Sequence, residues 1–124
     1  MAKVTGVGGV FLRAQNAAFL REWYAHSLGL DFDGDGGLHF PDANAGAGLV
    51  LSLFARDSTY LGDPSTQSVM VNYVVDNLDE VAARLATLGV HVEEIQVESY
   101  GRFTWASDPE GNRFELWEPT APSS

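Results

Sequence analysis

Residues 4–54 and 66–118 of this chain read as two copies of one module, and that duplication limits the fold more than any other feature. Leu28-Gly29-Leu30 matches Leu88-Gly89-Val90, Asn16 matches Asn77, and Leu51-Ser52-Leu53-Phe54 matches Phe114-Glu115-Leu116-Trp117. The offset drifts from 60 to 63 residues, so the copies have diverged. A small module with one apolar sheet face covered by its own helix has a second face that needs a partner. Two such modules side by side enclose a cavity whose walls come from equivalent positions in each copy.

Within the first copy, Val7 to Ala14 reads as a strand. Asn16 is placed to cap a helix that runs to Leu28, where Gly29 suits a left-handed C-cap. Short strands are expected around Leu38–Phe40 and at Leu49–Phe54, and Ala55–Gln67 reads as the connection between halves. In the second copy Val69–Val75 is a strand and Asn77 a cap. Leu78, Val81, Ala82, Leu85 and Leu88 then fall on one helical face ended by Gly89. Val90–Val97, Tyr100–Ala106 and Arg113–Glu118 read as strands, the last two joined by the turn chemistry of Asp108–Asn112. The expectation is a single α+β domain. Two βαβββ modules (4–54 and 66–118, linker 55–65, tail 119–124 with Ala121–Ser124 frayed) form a curved mixed sheet with helices outside and a concave cleft within.

Length and composition suit one folded domain: 124 residues, 45% of them apolar. The absence of cysteine excludes disulfides, thiolate nucleophiles and Cys-ligated metal centres. Seventeen acids against seven bases leave a net charge of −10, and the bases are scattered, so nucleic-acid binding is disfavoured. Such a chain suits a cationic ligand, although charge also serves solubility. No apolar run approaches a membrane span and no signal peptide is evident at Met1-Ala2-Lys3-Val4, so the expected location is the cytoplasm, with no membrane partner.

The β–α–Leu-Gly start of each copy and the run Asp-Pro-Glu-Gly-Asn-Arg-Phe-Glu-Leu-Trp at 108–117 resemble the vicinal-oxygen-chelate superfamily. That group includes glyoxalase I, extradiol dioxygenases, methylmalonyl-CoA epimerase, and fosfomycin- and bleomycin-resistance proteins. The resemblance spans nearly the whole chain. It specifies architecture better than chemistry, because one fold carries several activities. It also implies a divalent metal held by His, Gln or Glu at four points, which fall here on Gly9, Ser52, Met70 and Glu115. Only Glu115 is of the required type, so no metal or other cofactor is expected.

Strand alternation sorts the remaining side chains. Val10, Leu12, Leu51, Leu53, Val71, Tyr73, Val75, Phe114 and Leu116 should pack under the helices. Gly9, Phe11, Arg13, Ser52, Phe54, Met70, Asn72, Val74, Glu115 and Trp117 should face the cleft. Of these Phe11, Arg13, Ser52, Phe54, Met70, Asn72 and Trp117 are the candidate ligand-binding residues, apolar walls with a few polar handles. A filled core or a dimer interface would use the same aromatics. Glu115 needs a partner among apolar neighbours: Arg13, Arg102 or Arg113 in a purely structural role, or a substrate if it acts as a catalytic base or cation receptor. His39 is the one histidine placed to reach the cleft. Tyr60 and Tyr100, beside loops, could close over a ligand, and the faces of Phe103 and Trp105 stay open. Asp31–Asp42 has the spacing of a calcium loop, but Asp42 stands where a bidentate Glu belongs, and a hairpin explains the Asp and Gly residues as well. The reading that results is a homodimeric small-molecule-binding protein without the family's metal set, sequestering an amphipathic or cationic compound. The alternative is a glyoxalase-like lyase or isomerase, or a dioxygenase-family enzyme, that uses Glu115 as base or metal ligand.

Overall fold

In the computed structural model, which describes residues 1–120, the chain forms seven strands, two α-helices and one short 3-10 helix at Asn44–Gly46. The tail expected at Ala121–Ser124 lies outside the described residues. The elements are β1 (Val4–Ala14), α1 (Ala17–Leu28), β2 (Gly37–Phe40), β3 (Leu49–Ala55), β4 (Val69–Val75), α2 (Leu78–Thr87), β5 (Gln96–Glu98), β6 (Gly101–Ser107) and β7 (Arg113–Pro119). The sheet order is β2-β3-β1-β4-β7-β6-β5, so the first module supplies three adjacent strands and the second the other four. Strand β1 runs parallel to β3, and β4 parallel to β7. The modules join through the antiparallel pair β1–β4. The α+β architecture and the mixed, curved sheet match the expectation, and the cleft is completed within one chain.

Local chemistry sets the helix ends as the sequence implies. The side chains of Asn16 and Asn77 accept from the backbone N–H of Phe19 and Glu80, three residues on in each case. Gly29 (φ 67°) takes the left-handed conformation that ends α1, where a β-carbon would be strained.

Two departures from the expected pattern are instructive. The first module has one strand fewer than βαβββ, because residues 31–36 fold into a turn. There Asp33 Oδ1 accepts from the N–H groups of Asp35 and Gly37, and Asp and Gly are poor strand formers. This is the segment with calcium-loop spacing, and its carboxylate serves the hairpin. In the second module only Gln96 and Val97 of the expected 90–97 strand are paired, in the short β5 that ends at Glu98. Ile95 turns into the α2 core, Val90 N–H bonds back to Leu85, and Glu93 keeps a single backbone bond to Trp105.

The two helices pack unequally. Leu78 and Val81 of α2 are buried against Val75 and Leu116, with Tyr73, Leu85 and Phe114 beside them. Helix α1 buries no residue fully and leaves Phe19, Trp23 and Leu28 exposed. No helix among the described residues is long and apolar enough to cross a membrane. Truncating Leu78 to Ala should therefore cost about 2–5 kcal/mol, whereas Leu20→Ala on α1 should cost about 1 kcal/mol. Urea unfolding of both variants checks this, and equal losses would refute the unequal packing.

Candidate functional site

The concave face of the sheet holds a cleft of about 720 Å³. Strand β1 contributes Gly8 and Phe11; β3 contributes Val50, Ser52 and Phe54; β4 contributes Asn72; β7 contributes Glu115 and Trp117. The other wall comes from Phe103 and Trp105 on β6, with Gln96, Glu98 and Tyr100 around the rim. Tyr60 closes one side from the 56–68 connection.

The rings form two packed groups. Tyr60 stacks on Phe54 (5.3 Å between centroids, 2° between planes) and meets Trp105 edge-on, while Phe11 tilts against both Phe54 and Tyr60. Further along β6 and β7, Phe103 stacks on Trp117 (6.1 Å, 3°), and Tyr100 meets Phe103 edge-on. Flat apolar walls of this kind suit a planar ligand or the face of a cation.

On the floor lies Glu115, 3% exposed. Its Oε1 accepts from Asn72 Nδ2 at 2.5 Å. Its Oε2 accepts from Trp105 Nε1 at 2.7 Å and from the Tyr60 hydroxyl. Register places these partners: Asn72 and Trp105 are the cross-strand neighbours of Glu115 on β4 and β6. Burial, reinforced by the Glu115 charge and hydrogen bond, holds the Tyr60 phenol well above its ordinary pKa of 10.0, so it stays a donor. All three donors are neutral, and no ion pair of the described residues involves Glu115.

The three arginines expected as partners are committed elsewhere. Arg13 turns from the cleft to the 55–68 connection, donating to the carbonyl oxygens of Gln67, Ala55, Arg56 and Ser58. Arg102 pairs with Asp79 and Glu118. Arg113 pairs with Glu93, donates to the Tyr60 carbonyl at 3.0 Å and lies over the Trp105 ring. Arg13 and Arg113 thus hold the loop that presents Tyr60, and fully buried Leu61 anchors it against Phe11 and Met70.

Of the sequence candidates, Phe11, Ser52, Phe54, Asn72, Glu115 and Trp117 converge on the cleft. Arg13 does not line it, and Met70 is fully buried beneath its wall. Val74 is buried and Gly9 does not line the cleft; Gly8 does, because the β1–β4 register shifts between Val7 and Gly9. His39 is exposed on the outer strand, beside Gly48. The faces of Phe103 and Trp105 resolve as cleft-lining. A hairpin centred on Glu110 puts Trp105 opposite Glu115, so turn counting is the signal that finds Trp105.

The structure also tests the metal that the resemblance implies. A β-carbon on Gly8 would come within 2.5 Å of Asn72 Oδ1 and 2.8 Å of Trp117 Cε3, so these side chains fill the space a first-strand ligand would need. In the first module Phe11 and Ser52 are neighbours where the second has Asn72 and Glu115. Three of the lone pairs on Glu115 already accept hydrogen bonds, and among the described residues no three His, Cys, Asp or Glu side chains converge. This donor set does not fit a hard divalent cation.

The family model described as a glyoxalase-like domain matches residues 9–117. No curated protein matches the sequence. Among solved structures, the chain is similar to a variant of Streptomyces coelicolor methylmalonyl-CoA epimerase in complex with 2-nitronate-propionyl-CoA. That likeness has a TM-score of 0.70 at 19% identity over 96% of this chain and 100% of that one. It is also similar to methylmalonyl-CoA epimerase from Mycobacterium tuberculosis (0.64, 20%, 94% and 89%). A third similar structure is a glyoxalase/bleomycin resistance protein/dioxygenase superfamily member from Vibrio splendidus 12B01 (0.60, 14%, 95% and 99%). At these identities the likeness is one of fold.

The raised Tyr60 pKa has a consequence for stability. Below pH 10.0 the phenol is protonated in both folded and unfolded chains. Above it the unfolded chain ionises while the folded one keeps its proton, so unfolding gains as pH rises. Urea midpoints followed from about pH 8 to about pH 11 should therefore fall more steeply for the wild type than for Tyr60→Phe. Parallel profiles would refute the buried phenol–carboxylate contact.

Proposed function

Because this chain belongs to the glyoxalase-like domain family, whose modules enclose a ligand cleft, we propose that it is a small-molecule-binding protein for an organic cation with a flat apolar body. Sequestration in the manner of bleomycin-resistance proteins is the concrete form of this reading. The observation that carries it is that, among the described residues, Glu115 has no cationic partner. A buried carboxylate matched only by neutral donors leaves a net negative charge among aromatic rings, and a bound cation would offset that cost. The rings that line the cleft add cation–π attraction, and the net charge of −10 draws cations toward the protein.

The acyl-CoA ester held by the epimerase relative is a poor match for this cleft. Its phosphates carry several negative charges, whereas the cleft lining includes Glu98 and Glu115 and neither Lys nor Arg. A base role for Glu115 fares little better. Proton abstraction beside a carbonyl needs an electrophile for the carbonyl oxygen. Tyr60, Trp105 and Asn72 already direct their donors at the carboxylate, while Arg13 and His39 lie outside the cleft. The cleft is complete in one chain, so this reading requires no second copy.

The test uses naphthylethylammonium and its neutral counterpart naphthylethanol, with Trp105 and Trp117 fluorescence as the signal. Glu115→Gln removes the charge, and the Asn72 amide can turn over to accept from the new N–H group, which favours retention of the fold. The ammonium ion should lose about 10-fold to about 100-fold in affinity, corresponding to a charged hydrogen bond, while the alcohol changes by less than about twofold. An unchanged ammonium affinity would falsify the reading.

A further inference from the structure

The hydrogen bonds of Glu115 also bear on which cation fits. This step rests on the cation-binding reading and sharpens it. A carboxylate offers about four acceptor positions, two on each oxygen. Oε2 is filled, by the Tyr60 hydroxyl and Trp105 Nε1. Oε1 holds a single donor, Asn72 Nδ2. The Asn72 orientation is fixed by chemistry: with the amide reversed, two acceptor oxygens would face each other at 2.5 Å. Asn72 Oδ1 therefore points away from Glu115 toward Gly8, where it is buried without a partner. One acceptor position on one oxygen is what this floor has left for a ligand.

We infer that the cleft engages its cation through a single N–H donated to Oε1 of Glu115, and so selects alkylammonium ions over guanidinium or amidinium groups and over quaternary ammonium. The ordinary preference of a carboxylate runs the other way, since guanidinium bridges both oxygens with two parallel bonds. Here the second bond has no acceptor, because Tyr60 and Trp105 occupy Oε2. The remaining guanidinium N–H groups would meet a lining in which aromatic rings outnumber the polar side chains Ser52, Gln96 and Glu98, and each donor left unpaired there is costly. A quaternary ammonium has the opposite defect: it carries charge but no N–H, so the open position on Oε1 stays empty and its methyl groups hold the charge further off. An ammonium with one inward N–H and an apolar remainder satisfies both conditions. Tyr60 sets this selectivity. It is the one donor to Glu115 carried on a connection instead of a strand, and its hydroxyl takes the acceptor position that a bridging ligand would need.

The experiment compares four probes sharing one aromatic body by calorimetry: naphthylethylammonium, naphthylethylguanidinium, trimethyl(naphthylethyl)ammonium and naphthylethanol. On the wild-type protein the ammonium ion should bind about tenfold or more tightly than either other cation, and all three at least as tightly as the alcohol. Tyr60→Phe keeps the ring and opens one position on Oε2, so the guanidinium probe should gain about fivefold or more relative to the ammonium. Guanidinium binding as tightly as ammonium in the wild type overturns the inference while leaving the cation reading intact. So does an unchanged ratio in a folded Tyr60→Phe variant, and if that variant does not fold, the wild-type series alone decides. Alcohol binding equal to ammonium overturns the cation reading itself, and no saturable binding of any probe overturns both.

Discussion

The buried carboxylate of Glu115 is the point on which the cleft depends. It draws Asn72 from β4, Trp105 from β6 and Tyr60 from the connection between modules onto one pair of oxygens. A carboxyl side chain that is 3% exposed is tolerated only when its lone pairs are met, and hydrogen bonds to a charged group contribute about 1.5–3 kcal/mol each. Two of the donors come from neighbouring strands and are positioned by register. The third is not, and the protein uses Arg13 and Arg113 to place it, by binding the carbonyl oxygens of the loop that carries Tyr60. Residues outside the cleft thereby control its shape.

A duplicated fold would be expected to give a symmetric site, and this one does not. Across the β1–β4 joint, Phe11 occupies the place of Asn72 and Ser52 that of Glu115. One module presents rings and a hydroxyl, and the other an amide and a carboxylate. Four matched donors can surround an ion from both sides; one polar half facing one apolar half orients a molecule that is itself two-faced. The same division appears in the packing, where α2 covers a well-buried core and α1 buries no residue fully. The symmetry of the backbone is thus kept while its side-chain content diverges.

Most of the architecture was legible because it rests on local chemistry repeated twice. Asn16 and Asn77 cap their helices, Gly29 ends the first, and period-two alternation put Phe11, Ser52, Phe54, Asn72, Glu115 and Trp117 on the concave face. What escaped depends on events that periodicity does not encode. The register shift in β1 brought Gly8 to the cleft and left Gly9 outside it. Arg13 sits on a strand whose alternation points it inward, but its long side chain reaches the unpaired carbonyl oxygens of a loop that only the folded chain brings near. Tyr60 had no strand or helix to fix its direction. The 90–95 segment, β-branched and expected as a strand, gives its Ile95 to the helix-side core instead of to pairing.

The placement of positive charge is the last consequence of this arrangement. Arg13, Arg102 and Arg113 were each candidates to neutralise Glu115, and each is held by other partners: backbone carbonyl oxygens for the first, surface acids for the second, Glu93 and the Tyr60 carbonyl for the third. An arginine on Glu115 would have given a tighter floor, with a paired charge and no reason to admit anything else. Neutral donors do otherwise: they fix the carboxylate in space and leave its charge uncancelled. The charged side chains that line the cleft, Glu98 and Glu115, are both negative, and Arg113 lies outside it over the Trp105 ring. On the proposed reading, the hydrogen bonds from Tyr60, Trp105 and Asn72 would preorganise this floor for a positive group before any ligand arrives.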